Sequence, residues 1–285
     1  MRESFIAPEL TPTRAPAGQP QPQPQPRARG EVRLTVAAPA RLARLRQSGS
    51  MRCLFPRAGA DAREAVLVNT AGGITGGDRF AITARVAENA VLALTTQAAE
   101  RAYRANQDAP GRMTSRLSAA PGARLHWLPQ ETILFDGCHY DRRLRVDLDP
   151  GARALIVEPL VFGRVATGEH LRSIRFRDRI DIREGGQPLF LDAMTITGDA
   201  QAHLARPHLA GGARALATLV LVAGEAEAML EPVRRMLPDT GGASLVRQNV
   251  LVLRLLADDS FALRSHLVPI LNLLTENTLP KCWTL

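Results

Sequence analysis

Apolar and polar residues alternate with a period of two over much of this chain. Val32, Leu34 and Val36 alternate with Arg33 and Thr35, and Phe80, Ile82, Ala84 and Val86 with Ala81, Thr83 and Arg85. Leu144, Val146 and Leu148 alternate with Arg145, Asp147 and Asp149. Ile174, Phe176, Ile180 and Ile182 do so around Arg175, Arg177, Arg179 and Asp181, with Asp178 the one polar break on the apolar face. Successive side chains of a strand point to opposite faces, so each segment predicts a strand with one face on a core and one in water.

A slower period runs beneath this one. The segments "RVAENAVLALTTQ" (85–97), "SAAPGARLHWLPQ" (118–130) and "DLDPGARALIVEP" (147–159) superpose with Ala90, Ala123 and Ala152 in register, at spacings of 33 and 29 residues. Each reads as a tight turn, an apolar strand and a polar corner. A strand repeat of about thirty residues suits layers stacked in a solenoid or wound sheet. It would place the corners Gln97, Gln130 with Glu131, and Glu158 along one edge. The competing reading is coincidence in a β-rich chain with Pro-Gly turns.

Helices are few. Ala226, Met229, Leu230, Val233, Met236 and Leu237 form the stripe of a core-facing helix, with Pro232 kinking it or marking its start. A second helix is expected from an N-cap at Ser260, with Leu267, Val268, Leu271 and Leu274 on one face and a kink at Pro269. Between them "ASLVRQNVLVLRLLA" reads as strand. The expected fold is mainly β, a wound or helical β-sheet body of solenoid type with two C-terminal α-helices. Residues 31–285 form one domain, and the Pro/Gln-rich residues 1–30 form a tail that cannot build a core.

Composition narrows the chemistry. The chain has 285 residues and only 4% aromatics, so its core rests on Leu, Val, Ile and Ala. A net charge of +8 suggests a nucleic acid or an acidic membrane. However, the first 46 residues alone hold eight arginines against three glutamates, which leaves the body only slightly basic. Lys281 is the sole lysine, which argues against a phosphate-binding loop and Schiff-base chemistry. Cys53, Cys138 and Cys282 are odd in number and widely spaced, as suits a reducing cytoplasm. No apolar run reaches the length of a membrane span, and the N-terminus lacks a hydrophobic signal region.

No G-x-S-x-G elbow appears, and the histidines lack the close spacing of zinc ligands. Glu131, Asp136, Glu158 and Glu169 could supply a carboxylate pair for glycoside hydrolysis, but sequence fixes no separation. What remains is four polar islands among apolar strands: "NTAGGITGGDRF" (69–80), "TTQAAERAYR" (95–104), "WLPQETILFDG" (127–137) and "EPLVFGRVATGE" (158–169). They mix Gly, Pro, Gln, Arg and carboxylates without an obvious nucleophile, a composition suited to a binding surface or a hydrated passage. The cluster Gly72, Gly73, Gly76 and Gly77 before Asp78 and Arg79 implies positive φ or a close backbone approach.

These islands, in this order, resemble the urease accessory protein UreD family, also called UreH. The resemblance covers about residue 31 to the end. It rests on Gly72-Gly73-Ile74-Thr75-Gly76-Gly77-Asp78, Thr96-Gln97 with Tyr103-Arg104, Trp127-Leu128-Pro129-Gln130-Glu131, Gly163-Arg164 with Gly168-Glu169, and the closing Leu279-Pro280-Lys281-Cys282-Trp283. It implies a non-enzymatic protein of mainly β, helically wound fold with two helices. Such a protein binds apo-urease and assembles with UreF and the GTPase UreG, so that nickel and a lysine-carbamylating CO2 reach the urease active site. No tightly bound cofactor is implied, only transient nickel, and neither nucleic acid nor membrane is a partner. A water-filled passage for nickel is also implied.

On that reading the glycine turn lets two β layers approach and aims Asp78 into a polar interior, while Arg79 pairs with or anchors the turn. Asp78, Glu131 and Glu169, then Glu158, would line the passage with oxygen donors that release a dication readily. Gly72, Gly73, Gly76, Gly77, Arg79, Gln97, Tyr103, Arg104, Trp127, Gln130 and Arg164 would shape the turn and meet partners. The plainer alternative makes Asp78 and Glu169 structural ion-pair partners of Arg79 and Arg164. Two further readings compete: a metal-dependent hydrolase on a β-solenoid with Asp78, Glu131 and Glu158 as ligands, and a nucleic-acid-binding module resting on charge alone.

Overall fold

The computed structural model describes residues 26–56, 62–106, 108–164 and 167–283. Most of the expected tail, residues 1–25, lies outside the described residues. The first strand starts at Arg29, two residues before the expected start of the domain at Glu31.

The chain winds between two sheets. β1 (Arg29–Ala37) and its antiparallel neighbour β2 (Arg41–Gly49) lie in the first sheet, and β3 (Met51–Leu54) and β4 (Arg63–Asn69) in the second. β5 (Arg79–Val86) returns to the first and β6 (Val91–Thr96) to the second, with a short β7 (Glu100–Ala102) at the corner. The next coil is β8 (Gly111–Ala119), β9 (Arg124–Leu128) and a corner strand β10 (Thr132–Leu134). β11 (His139–Leu148), β12 (Arg153–Phe162), and the hairpin β13 (Ile174–Glu184) and β14 (Gln187–Gly198) follow. Strands β1, β5, β8, β11 and β13 pair in parallel, as do β4, β6, β9 and β12. This is the geometry of a solenoid, and it bears out the expected fold class.

The thirty-residue repeat is the turn that carries the chain from the first sheet to the second. Asn89, Gly122 and Gly151 occupy the same place in successive turns, each with positive φ. Ala90, Ala123 and Ala152 follow them, all buried and linked by Arg124 N–H to Ala90 C=O and Arg153 N–H to Ala123 C=O, each 2.9 Å.

After β14 come a short helix α1 (Ala200–Leu204) and β15 (Ala215–Val222). α2 (Ala226–Arg234), β16 (Gly241–Arg247), β17 (Val250–Ala257) and α3 (Ser260–Leu274) complete the fold. β15, β17 and β16 extend the second sheet beyond β12, so "ASLVRQNVLVLRLLA" is a hairpin and not one strand. The helix α1 was not anticipated, being one turn capped by Asp199. The N-cap of α3 is Asp259 and not Ser260: Asp259 is extended and its carboxylate accepts the Ala262 N–H at 2.8 Å. Pro232 and Pro269 sit inside their helices, while Met236 and Leu237 lie past the end of α2.

Two cores follow. One fills the space between the sheets, and the other lies between the second sheet and the helices α2 and α3. The second sheet is thus covered on both faces at β12, β15 and β17, and β12 is buried along nearly its whole length. The first sheet is covered on one face only, which is why its strands alternate.

Candidate functional site

Each coil passes from the second sheet back to the first through one of the four polar islands, and the islands stack. Ile74 N–H bonds Arg101 C=O at 2.7 Å and Tyr103 N–H returns to Ile74 C=O at 2.8 Å. Phe135 N–H bonds Ala102 C=O at 3.0 Å, and Gly163 N–H bonds Leu134 C=O at 2.8 Å. β7, β10 and the end of β12 pair in parallel along this line, making a narrow third wall. Side chains repeat the ladder outside it. The Tyr103 ring packs on the bare backbone of Gly73, where a Cβ would come within 2.3 Å of it. Phe135 meets Tyr103 edge-on at 5.0 Å, and the Arg164 guanidinium covers Phe135 at 4.9 Å. Gly73 therefore serves close approach, whereas Gly72 (φ +78) and Gly77 (φ +87) serve the turn itself; Gly76 is buried beside them.

Each corner carboxylate has a partner. Asp78 is buried, and its two oxygens accept the Ala28 N–H at 2.8 Å and the Thr75 N–H at 2.9 Å. It does not pair with Arg79, whose side chain is exposed. Glu169 accepts Arg164 Nε at 3.1 Å and the backbone N–H groups of Arg164 and Asp136. These donors hold its carboxyl below the usual range in spite of burial, which acts first and upward. Asp136 pairs with Arg104 and caps Arg172 and Ser173 N–H. Glu131 and Gln130 both accept Arg264 Nη1, at 3.0 and 2.7 Å. The same guanidinium stacks over Trp283 and donates to its carbonyl, while the Trp283 indole N–H reaches Leu128 C=O at 2.9 Å. Thus the C-terminal residues clamp the Gln130 corner. Gln97 is exposed at its own corner, and its N–H bonds Leu67 C=O.

Glu158 differs from the other three. It is not a corner residue: it lies within β12 between the stretches paired to β9 and to β10, and it points between the sheets. There Arg142, 6% exposed, makes a two-point contact with Asp178 at 2.9 and 2.6 Å and meets Glu158 at 2.5 Å. Trp127 Nε1 donates to the other Glu158 oxygen at 2.7 Å, and Thr132 Oγ1 accepts Arg142 at 3.2 Å. Burial pushes the Glu158 carboxyl up to about 7; Asp178 adds to the rise, and Arg142 and Trp127 oppose it. One guanidinium cannot neutralise two buried carboxylates, and Asp178 holds the tighter grip.

Glu100 is a further inward carboxylate, bound by the Asn69 amide at 3.0 Å and its neighbour's N–H at 2.9 Å, with burial raising its pKa. It borders a cavity of about 130 Å³ between Met51, Ile82, Thr96 and Met113. The wholly buried Tyr140 lies in electrostatic reach of Glu100, Asp178 and Glu158 alike. Arg142 and Glu100 were missed by sequence reasoning. Arg142 had a signal: it interrupts the apolar face of Tyr140, Leu144 and Val146 as Asp178 interrupts its own, and the two prove to be in direct register.

Asp78, Glu131 and Glu158, the ligand set of the hydrolase reading, are engaged separately. Among the described residues no group of three or more His, Cys, Asp or Glu side chains gathers to hold a metal. Nor is any helix there long and apolar enough to cross a membrane.

Fold and corners together define a class: a two-sheet β-solenoid whose conspicuous residues lie on one stacked wall, with helices laid over one sheet. A family profile described as UreD urease accessory protein matches residues 27–284, and the chain belongs to that family. It is 55% identical over 244 residues to the urease accessory protein UreD of Ruegeria pomeroyi, covering 86% of this chain and 95% of that one. The UreD of Roseobacter denitrificans is 51% identical over 241 residues (85% and 88%), and that of Brucella suis (strain ATCC 23445) 44% over 250 residues (86% and 89%).

Proposed function

We propose that this chain is a cytoplasmic, non-catalytic scaffold of urease maturation that binds apo-urease together with UreF and the GTPase UreG and assists GTP-dependent nickel insertion. The observation that supports it best is the wall of four stacked corners. The residues that carry the resemblance are spread over the sequence, yet the stacking of the corners gathers them along one wall. Nickel is cargo here. Weak oxygen donors suit a site that must release its ion, and the inward carboxylates Glu158, Asp178 and Glu100 are the groups we assign to its route. Asp78, Glu131 and Glu169 we assign to holding the wall, since Asp78 closes on the Ala28 and Thr75 N–H groups, Glu169 on Arg164 and the Asp136 N–H, and Glu131 on Arg264.

The test is assembly. The tagged chain is mixed with apo-urease subunits, UreF and UreG with GTP, and resolved by size exclusion. Co-elution with apo-urease and UreF supports the reading, and a Tyr103→Ala/Arg164→Ala variant should weaken it. A chain that elutes free of all of them sinks it.

A further inference from the structure

The outward face of the first sheet is a field of arginines. In register, Arg33 lies opposite Arg46, Arg79 opposite Arg112, Arg116 opposite Arg145, and Arg143 opposite Arg179. Like charges directly across a strand pair destabilise it. Among the described residues Arg79, Arg85, Arg112, Arg116, Arg177 and Arg179 make no side-chain hydrogen bond or ion pair, and all are exposed. Among the described residues the outward acids of these strands pair two residues along their own strand, Glu31 with Arg33, Asp141 with Arg143, Asp147 with Arg145 and Asp181 with Arg183, and Asp108 from the loop before β8 pairs with Arg175. Total charge conceals this segregation. The opposite side of the molecule is covered by α2 and α3, but among the described residues no element covers the arginine face.

We infer that this face docks an acidic protein surface, one presenting carboxylates at strand-like spacing. Guanidinium forks suit two-point contact with carboxylates, and a shallow depression of about 190 Å³ is lined by Thr114, Arg116, Arg143, Arg145, Arg179 and Asp181. Seven strands at about 4.8 Å spacing, about eight residues long, give on the order of 750 Å², close to one side of a standard protein interface. The interleaved carboxylates favour a protein of mixed charge over a uniformly anionic duplex. No Phe, Tyr or Trp stands at the outward positions of β1, β5, β8, β11 or β13 to stack on bases or enter a lipid layer. The inference goes beyond the maturation reading and does not depend on it.

The test uses the full chain and three probes: poly-L-glutamate, duplex DNA and phosphatidylglycerol vesicles. Binding is measured against Arg116→Gln/Arg143→Gln/Arg179→Gln and against a charge-matched control, Arg206→Gln/Arg235→Gln/Arg247→Gln. Poly-L-glutamate should bind most tightly, and the face variant should lose on the order of tenfold in affinity while the control loses little. The face variant should keep its urea midpoint, since like-charge neighbours have been removed. Equal loss in both variants would reduce the effect to net charge and overturn the inference. Tighter binding of DNA or vesicles would overturn it in favour of those partners, and absence of binding would overturn it outright.

Discussion

Replacing Arg142 by Met removes the guanidinium buried between the sheets. Four hydrogen bonds disappear, two to Asp178 and one each to Glu158 and Thr132. Two carboxylates are then left facing each other among apolar side chains. Breaking a buried pair by removing one partner costs about 3–5 kcal/mol, a large part of a typical total stability of about 5–15 kcal/mol. With a urea slope of about 3 kcal/mol/M, the midpoint should fall by about 1–1.7 M. The loss should depend on pH in a known direction. Glu158 already has a folded pKa raised to about 7 from 4.5, and losing Arg142 raises it further. A raised carboxyl disfavours the folded state above that pKa and ceases to do so below the unfolded value, so the deficit should be greatest near pH 8 and shrink towards pH 5. A companion variant, Arg142→Met/Glu158→Gln/Asp178→Leu, removes all three charges and keeps an acceptor for Trp127. It should recover at least half of the loss. A deficit under about 1 kcal/mol at pH 8, or one that deepens on acidification, would refute the argument.

Two further predictions come from the corners and turns. Gly73→Ala should cost about 2–4 kcal/mol in urea unfolding because the new methyl meets Tyr103 and the Arg101 carbonyl, whereas Gly72→Ala, with open space around it, should cost about 1 kcal/mol; equal costs would show that approach to Tyr103 is not the constraint. His126 is held neutral to about pH 4 by burial, assisted by Arg153 and Arg124. Its folded pKa is depressed, so it contributes stability present above pH 6.5 and lost as pH falls towards 4. Because its ring borders an accessible cavity, the loss should be about 2 kcal/mol rather than the full shift, and His126→Gln should abolish that part of the acid limb in pH-dependent urea titrations.

The architecture was legible because the two sheets leave different marks. The alternating segments are all in the first sheet, with one wet face, and the apolar strands of the repeat segments, β6, β9 and β12, are all in the second, where most of their residues are buried. What sequence could not give was which carboxylates face inward. Asp78 and Glu158 both interrupt apolar surroundings, yet one closes a turn on backbone N–H groups and the other meets an arginine from the opposite sheet. That difference depends on a partner far away in sequence. Asp178 was visible as a break in an apolar face, and its reason, Arg142 in register, appears only once β11 and β13 are paired.

The most direct measurement is nickel per urease active site after co-expression with UreF, UreG and limiting nickel, with and without this chain. The account predicts urease nearly empty of nickel without the chain, and metal and activity both restored when it is supplied. Equal nickel in the two preparations would contradict a role in maturation.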